Sequence, residues 1–111
     1  MQLYGLKNCD KTRKSLKKLR EAGQEVTYID VRADGLSAEL IALLLTVFGD
    51  DLVNRRSTTW RGLSDSEKAG DSLDLLLAHP TLMKRPVIYT DGRYYLGWNT
   101  DVESELIGAS G

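Results

Sequence analysis

The order of patterns in the first thirty-one residues constrains this chain more than any other feature. Met1 to Gly5 is a short apolar run suited to a buried strand. Thr12, Leu16, Leu19 and Gly23 then recur at helical spacing, which predicts a helix from about Asp10 to Ala22, capped by Asn8 or Asp10 and stopped by Gly23. "EVTYIDV" at residues 25–31, rich in β-branched and aromatic residues, reads as a second strand. Two strands joined by a helical crossover favour parallel pairing, so the chain opens on a β-α-β unit.

Past Val31 the pattern changes character. After a turn at Ala33 to Leu36, Ser37 is placed to cap "AELIALLLTVFG", whose apolar residues cover most of the helix surface and predict burial, with Gly49 ending it. From Asp50 to Ala78 the pattern gives further short helices, with a capping box from Ser64 to Glu67 in "SDSE" and an apolar face in "DSLDLLL". "RPVIYTDGRYYLG" then reads as a β-hairpin around Asp91-Gly92. A last helix starts near Asn99 or Thr100 and is expected to fray at the Gly-Ala-Ser-Gly tail. The order β-α-β, helices, β-β-α is that of an α/β thioredoxin-like (glutaredoxin-like) fold: a mixed four-stranded sheet in one domain, 1–111, with an all-helical insertion at about 37–80.

With 111 residues, 41% of them apolar and 28% charged, the chain has material for one modest core and not for two. No apolar run approaches the roughly 20 residues of a membrane span, and the apolar start has neither the basic lead nor the length of a signal peptide. A cytoplasmic monomer is the expectation. One cysteine, Cys9, excludes an internal disulfide, so redox chemistry would have to recruit a second thiol from elsewhere. The net charge of −1 speaks against general affinity for nucleic acid. The charge is uneven, however: seven basic residues and only one acid, Asp10, lie between Lys7 and Arg20. That run reads either as a solvated helix face or as an anion-attracting surface beside Cys9.

A thiol becomes a strong nucleophile only as thiolate, and Cys9 lies where negative charge is favoured. It precedes the first helix, whose unpaired N–H groups and dipole present partial positive charge, and Lys7, Lys11 and Arg13 add full charges against Asp10. The same N–H groups suit an oxyanion or the carboxylates of a peptide thiol. A buried, inert cysteine is the alternative, disfavoured by the polar flanks of this strand-to-helix junction. Cys9 and His79 are the chain's only Cys and His, so no zinc-type cluster exists in it, and His79 reads as a helix end rather than a base.

"YGLKNCDKTRKSLKKL", "NRRSTTWRGL" and "HPTLMKRPVIY" resemble, in that order and over nearly the whole chain, the arsenate reductase (ArsC/Spx/YffB) family of thioredoxin-fold proteins. The Y-G-x-K-N-C-D and T-T-W-R elements are most similar to the YffB-type branch of glutathione-dependent thiol reductases. The resemblance implies that Cys9 is the nucleophile, with Arg13 the basic residue four positions on. It also implies that Arg85 is the catalytic arginine, placed before a cis proline, Pro86, that opens the third strand. The family's middle arginine falls on Asn54, and the adjacent Arg55 or Arg56 can take its place. Asn8, Arg13, Arg55, Arg56 and Pro86 are thus the candidate substrate-binding residues. A third anion-binding arginine of the arsenate reductases falls on Trp98, which speaks against arsenate turnover; Trp98 is left as either packing or substrate contact, and Trp60 as packing.

The implied activity is reduction of a mixed disulfide or oxyanion by Cys9, with no bound cofactor or metal and with glutathione as co-substrate. Glutathione or glutaredoxin would resolve the covalent intermediate, the substrate being a small molecule or a protein thiol. The Spx-type branch implies the alternative, a non-catalytic regulator that binds RNA polymerase or another protein. That branch often carries a C-x-x-C switch; here its second position is Thr12, which rules the switch out.

Overall fold

The computed structural model describes residues 1–108. The chain folds as two compact units, one made of Met1–Asp30 with the chain from Arg85 onward, the other of Val31–Lys84. The first holds the whole sheet. Strand β1 (Gln2–Gly5) leads through helix α1 (Asp10–Glu21) to β2 (Thr27–Asp30), and the hairpin of β3 (Val87–Thr90) and β4 (Arg93–Leu96) completes the order β2-β1-β3-β4. As the crossover requires, β1 and β2 are parallel; β3 runs antiparallel to β1 and to β4. This is the mixed four-stranded sheet of the thioredoxin-like fold.

Register explains how the first unit is glued together. Leu3 stands opposite Tyr28 on one side and Ile88 on the other, and Ile88 stands opposite Tyr95, so four apolar or aromatic side chains line up across one sheet face. Against that row pack Leu16 and Leu19 of α1, Trp98, and Val102, Leu106 and Ile107 of the final helix, Thr100–Ile107. Leu3, Leu19 and Ile88 are fully buried. Truncating one of them to alanine should cost about 2–5 kcal/mol. The hairpin turns on Asp91 (φ 51°) and Gly92 (φ 77°), the two successive left-handed residues that a tight two-residue hairpin needs. The final helix starts where expected, with the Asn99 side chain accepting from Val102 N–H at 3.0 Å. The expected fraying of the tail falls, beyond Gly108, outside the described residues.

The second unit is helical: α2 (Ala38–Phe48), α3 (Thr58–Arg61), α4 (Asp65–Lys68) and α5 (Ser72–Ala78), with 3-10 turns at Gly49–Leu52 and Pro80–Leu82. The final helix of the first unit is accordingly α6. An isolated antiparallel bridge, Val53 with Met83, and the bonds Lys84 N–H to Leu52 C=O and Asn54 N–H to Leu82 C=O, both 2.8 Å, tie the middle of this unit to its end. The caps are those the residues announce: Ser37 accepts from Leu40 N–H, Ser57 from Trp60 N–H, and Ser64 forms the full capping box with Glu67.

Two expectations need correction. Helix α2 is not buried all round: Ile41 and Leu44 are fully covered, yet Leu43 and Val47 are 45% and 49% exposed. An 11-residue helix packs by one stripe, and α2 packs that stripe toward α5, leaving the residues on its other side outward. Neither Asn8 nor Asp10 caps α1, either. The capping position belongs to Cys9, with Asp10 already the first helical residue.

Candidate functional site

The junction between β1 and α1 is closed by backbone hydrogen bonds. Cys9 N–H donates to Leu6 C=O at 3.0 Å, making a tight turn of Leu6 to Cys9, and Arg13 N–H donates to Cys9 C=O at 3.0 Å, starting the helix. A side chain locks the same corner. Thr12, fully buried, accepts from Leu6 N–H through its hydroxyl oxygen at 3.3 Å, so strand and helix are stitched at the point where the thiol emerges. Gly5 makes room for it: a Cβ there would lie 2.4 Å from Thr12 Cγ2 and 2.5 Å from Thr12 Oγ1, closer than atoms can pack.

Cys9 is half-buried and extended (φ −86°, ψ 121°), the usual conformation of a capping residue, but its side chain makes no capping hydrogen bond. Its electrostatics are nevertheless biased. Burial pushes the thiol pKa up; the Thr12 hydroxyl, then the Thr12 amide, then the hydrogen-bonding contact and charge of Arg85 pull it down, and the net result lies below the ordinary thiol value. The sulfur thus makes no capping hydrogen bond of the kind a serine would, while the nearby donors still favour its ionised form. That combination leaves the thiolate available to an incoming electrophile.

Arg85 reaches this corner from the other end of the chain. It precedes β3, and the Arg85-Pro86 peptide bond is cis, as expected. Pro86 is buried and its carbonyl accepts from Gly97 N–H at 2.7 Å, which anchors the entry to the hairpin. The structure therefore brings Cys9, Thr12 and Arg85 together.

The other candidates have different surroundings. Arg13 is exposed and bonded through its guanidinium to Asp10, which occupies the charge that the sequence offered to a substrate. Asn8 lies exposed in the turn. Arg55 and Arg56 stand in the second unit. The Arg55 guanidinium lies 5.4 Å from the Trp60 ring centroid, with Lys68 5.8 Å from the same centroid, so Trp60 is held by stacked cations. Arg56 is exposed, its N–H donating to Asn54 Oδ1 at 3.1 Å and its C=O accepting from Arg61 at 2.9 Å. His79 ends α5 and faces Glu67 at 3.4 Å. Trp98 is a core residue, 8% exposed and packed with Leu3, Leu19, Ile88 and Val102. Among the described residues no three His, Cys, Asp or Glu side chains gather as a metal site.

Thr12 and Gly5 were not among the candidates drawn from sequence. Thr12 reads as one more position of the helical repeat, yet a signal for it was present. It lies three residues after the capping position, the place from which a side chain reaches back toward the cap in a capping box.

Residues 4–105 match the model of the ArsC family. A protein of Haemophilus influenzae is 43% identical over 102 residues, covering 87% of this chain and 90% of its own length. Among solved structures, the YFFB (PA3664) protein superposes with a TM-score of 0.89 at 31% identity, covering 96% of this chain and 97% of its own. An arsenate reductase (ArsC) related protein from Brucella melitensis superposes with a TM-score of 0.73 at 32% identity, over 94% and 91% of the two chains.

Proposed function

The chain belongs to the ArsC family, and from that premise we propose that it is a thiol-dependent reductase whose nucleophile is Cys9. The observation that carries this reading is the corner where the Thr12 hydroxyl and amide and the Arg85 guanidinium converge on the Cys9 sulfur and favour its thiolate. For a glutathione mixed disulfide, the Cys9 thiolate attacks the glutathione sulfur and the substrate sulfur leaves as thiolate with the bonding electrons. A second glutathione, as thiolate, then attacks the glutathione sulfur of the Cys9 adduct. Oxidised glutathione departs and the Cys9 thiolate is restored. The external thiol is needed because the chain has no other cysteine.

In this reading Arg85 holds a carboxylate of glutathione or of the substrate beside the sulfur; its contact with the Cys9 thiol supports this, and its planar fork suits two parallel hydrogen bonds. Arsenate is the poorer substrate in this reading. The position where the family resemblance puts a third anion-binding arginine is the core residue Trp98, and an oxyanion loses a charge-assisted partner there.

Mass spectrometry of the reduced protein incubated with oxidised glutathione tests the proposal. The expected product is a single glutathione adduct on Cys9, reversed by reduced glutathione. No adduct, or a pH midpoint of Cys9 alkylation at or above about 8.5, the value for an unperturbed thiol, would end it.

A further inference from the structure

Beside the thiol, α1 carries charge where helix physics disfavours it. Lys11 is the second residue of the helix and Lys14 lies one turn further, sharing its face; Lys7 precedes them in the exposed turn. All three are exposed, and among the described residues none has an ion-pair partner, whereas Arg13, Lys17 and Lys18 are paired with Asp10, Glu21 and Glu103. Cations near a helix N-terminus oppose its dipole, at about 0.3–1 kcal/mol each. α4 opens on two acids, Asp65 and Glu67, whereas the one acid that opens α1, Asp10, is taken up by Arg13 and leaves Lys11 and Lys14 uncompensated. The distribution is also polar at the scale of the whole chain. Lys7 to Arg20 holds seven of the fifteen basic residues and one of the sixteen acidic ones, so this stretch is net +6 and the rest net −7.

We propose that Lys7, Lys11 and Lys14 form a docking surface for an acidic peptide segment of a disulfide-bearing protein substrate, steering its sulfur to Cys9. This rests on the reductase reading above and names the class of its substrate. Helical side chains lean toward the N-terminus of their helix, so Lys11 and Lys14 project their charge toward the end that bears the thiol. A partner with acids flanking its disulfide is attracted there and repelled by the acidic remainder of the chain. Steering of this kind acts on the association rate and is screened by salt. A local cost kept at the edge of a reactive group, with no compensating contact inside the chain, is the pattern of a feature retained for binding.

The test uses the full chain, reduced, and three synthetic peptides whose single cysteine carries a thionitrobenzoate disulfide, flanked by glutamates, glutamines or lysines. Cys9 thiolate attacks the peptide sulfur, a Cys9-peptide disulfide forms, and the coloured thionitrobenzoate leaves with the electron pair. At low salt the glutamate peptide should react roughly tenfold faster than the glutamine one and the lysine peptide slower. The three should converge near 1 M salt, where the Debye length is about 3 Å. The double substitution Lys11→Glu with Lys14→Glu should abolish or reverse the acidic-to-neutral ratio, a ratio that cancels any change in thiolate fraction. Its melting temperature should rise rather than fall, which excludes misfolding as the cause. Equal rates for the three peptides at low salt overturn the docking surface alone. Failure of Cys9 to attack even the glutamine peptide overturns the reductase reading and this inference with it.

Discussion

At the start of α4, Ser64 accepts from Glu67 N–H at 3.2 Å, its own N–H donates to the Glu67 carboxylate at 3.1 Å, and two acids sit in the first turn. At the start of α1 a cysteine holds the same position, its sulfur makes no capping hydrogen bond, and the one acid of the first turn, Asp10, is paired with Arg13 beside the exposed Lys11 and Lys14. Both sites confront unpaired N–H groups and the positive end of a helix dipole. In α4 the Ser64 and Glu67 amides are satisfied by the capping box, and the Glu67 carboxyl is held below the usual range, first by Ser64 and then by His79. In α1 the thiol itself is placed in the field of the helix start, where the Thr12 hydroxyl and amide favour its thiolate. The two helix starts thus differ in what faces the field: a closed capping box in α4, a thiol in α1.

The largest expected effect comes from making α1 resemble α4. Cys9→Ser should abolish attack on glutathione disulfide altogether while raising stability by up to about 1 kcal/mol, because a serine hydroxyl caps where a sulfur does not. Thermal melts and adduct formation measured together check this; a serine variant less stable than the wild type would break the comparison. Next, Thr12→Val removes the hydroxyl while preserving shape. Cys9 alkylation at neutral pH should slow by roughly tenfold, the low end of what one hydrogen bond to a charged acceptor is worth at a half-exposed site. Its pH midpoint should move upward, and Thr12→Ser should restore most of the rate. Ser64→Ala should cost about 1 kcal/mol of stability, read from the denaturant midpoint, and leave the Cys9 alkylation rate unchanged. A shift in that rate would show the two helix starts to be coupled rather than alternatives.

The smallest effect is the pH dependence of stability. Cys9 has its pKa lowered on folding, so folding favours the thiolate. Its contribution is present in full above the unfolded value of about 8.5, shrinks as pH falls through the depressed folded value, and is absent below it. Stability curves of wild type and Cys9→Ser should therefore differ in slope only in that window, and only slightly, because solvent screens a sulfur this exposed.

Which parts of this were legible in the sequence depends on the range of the interactions involved. The β-α-β opening, the Asp91-Gly92 hairpin, the Ser64 box and the stop at Gly23 rest on contacts between near neighbours, and periodicity or turn chemistry announces them. The placement of Cys9 at a strand-to-helix junction was readable for the same reason. The cis bond before Pro86 came only through resemblance to a family, since no local pattern separates cis from trans. What escaped was steric and specific. Nothing in the composition says that Gly5 is small because Thr12 fills its space, or that Arg13 pairs with Asp10. The outward side of α2 escaped too, because an apolar helix reads as buried until its packing partners are counted.

The contact between Gly5 and Thr12 also sets how this protein can change. A side chain at position 5 would collide with the threonine that holds the thiol corner, so a library varied at position 5 alone should return glycine and little else. Varied at both positions, it should admit a larger residue at 5 only alongside alanine or glycine at 12, which removes the hydroxyl from Cys9. The two sites are thus epistatic: any lineage that places a side chain at position 5 must first give up the hydroxyl beside Cys9. Retention of glycine at position 5 is then expected wherever the Thr12 hydroxyl is kept beside the thiol.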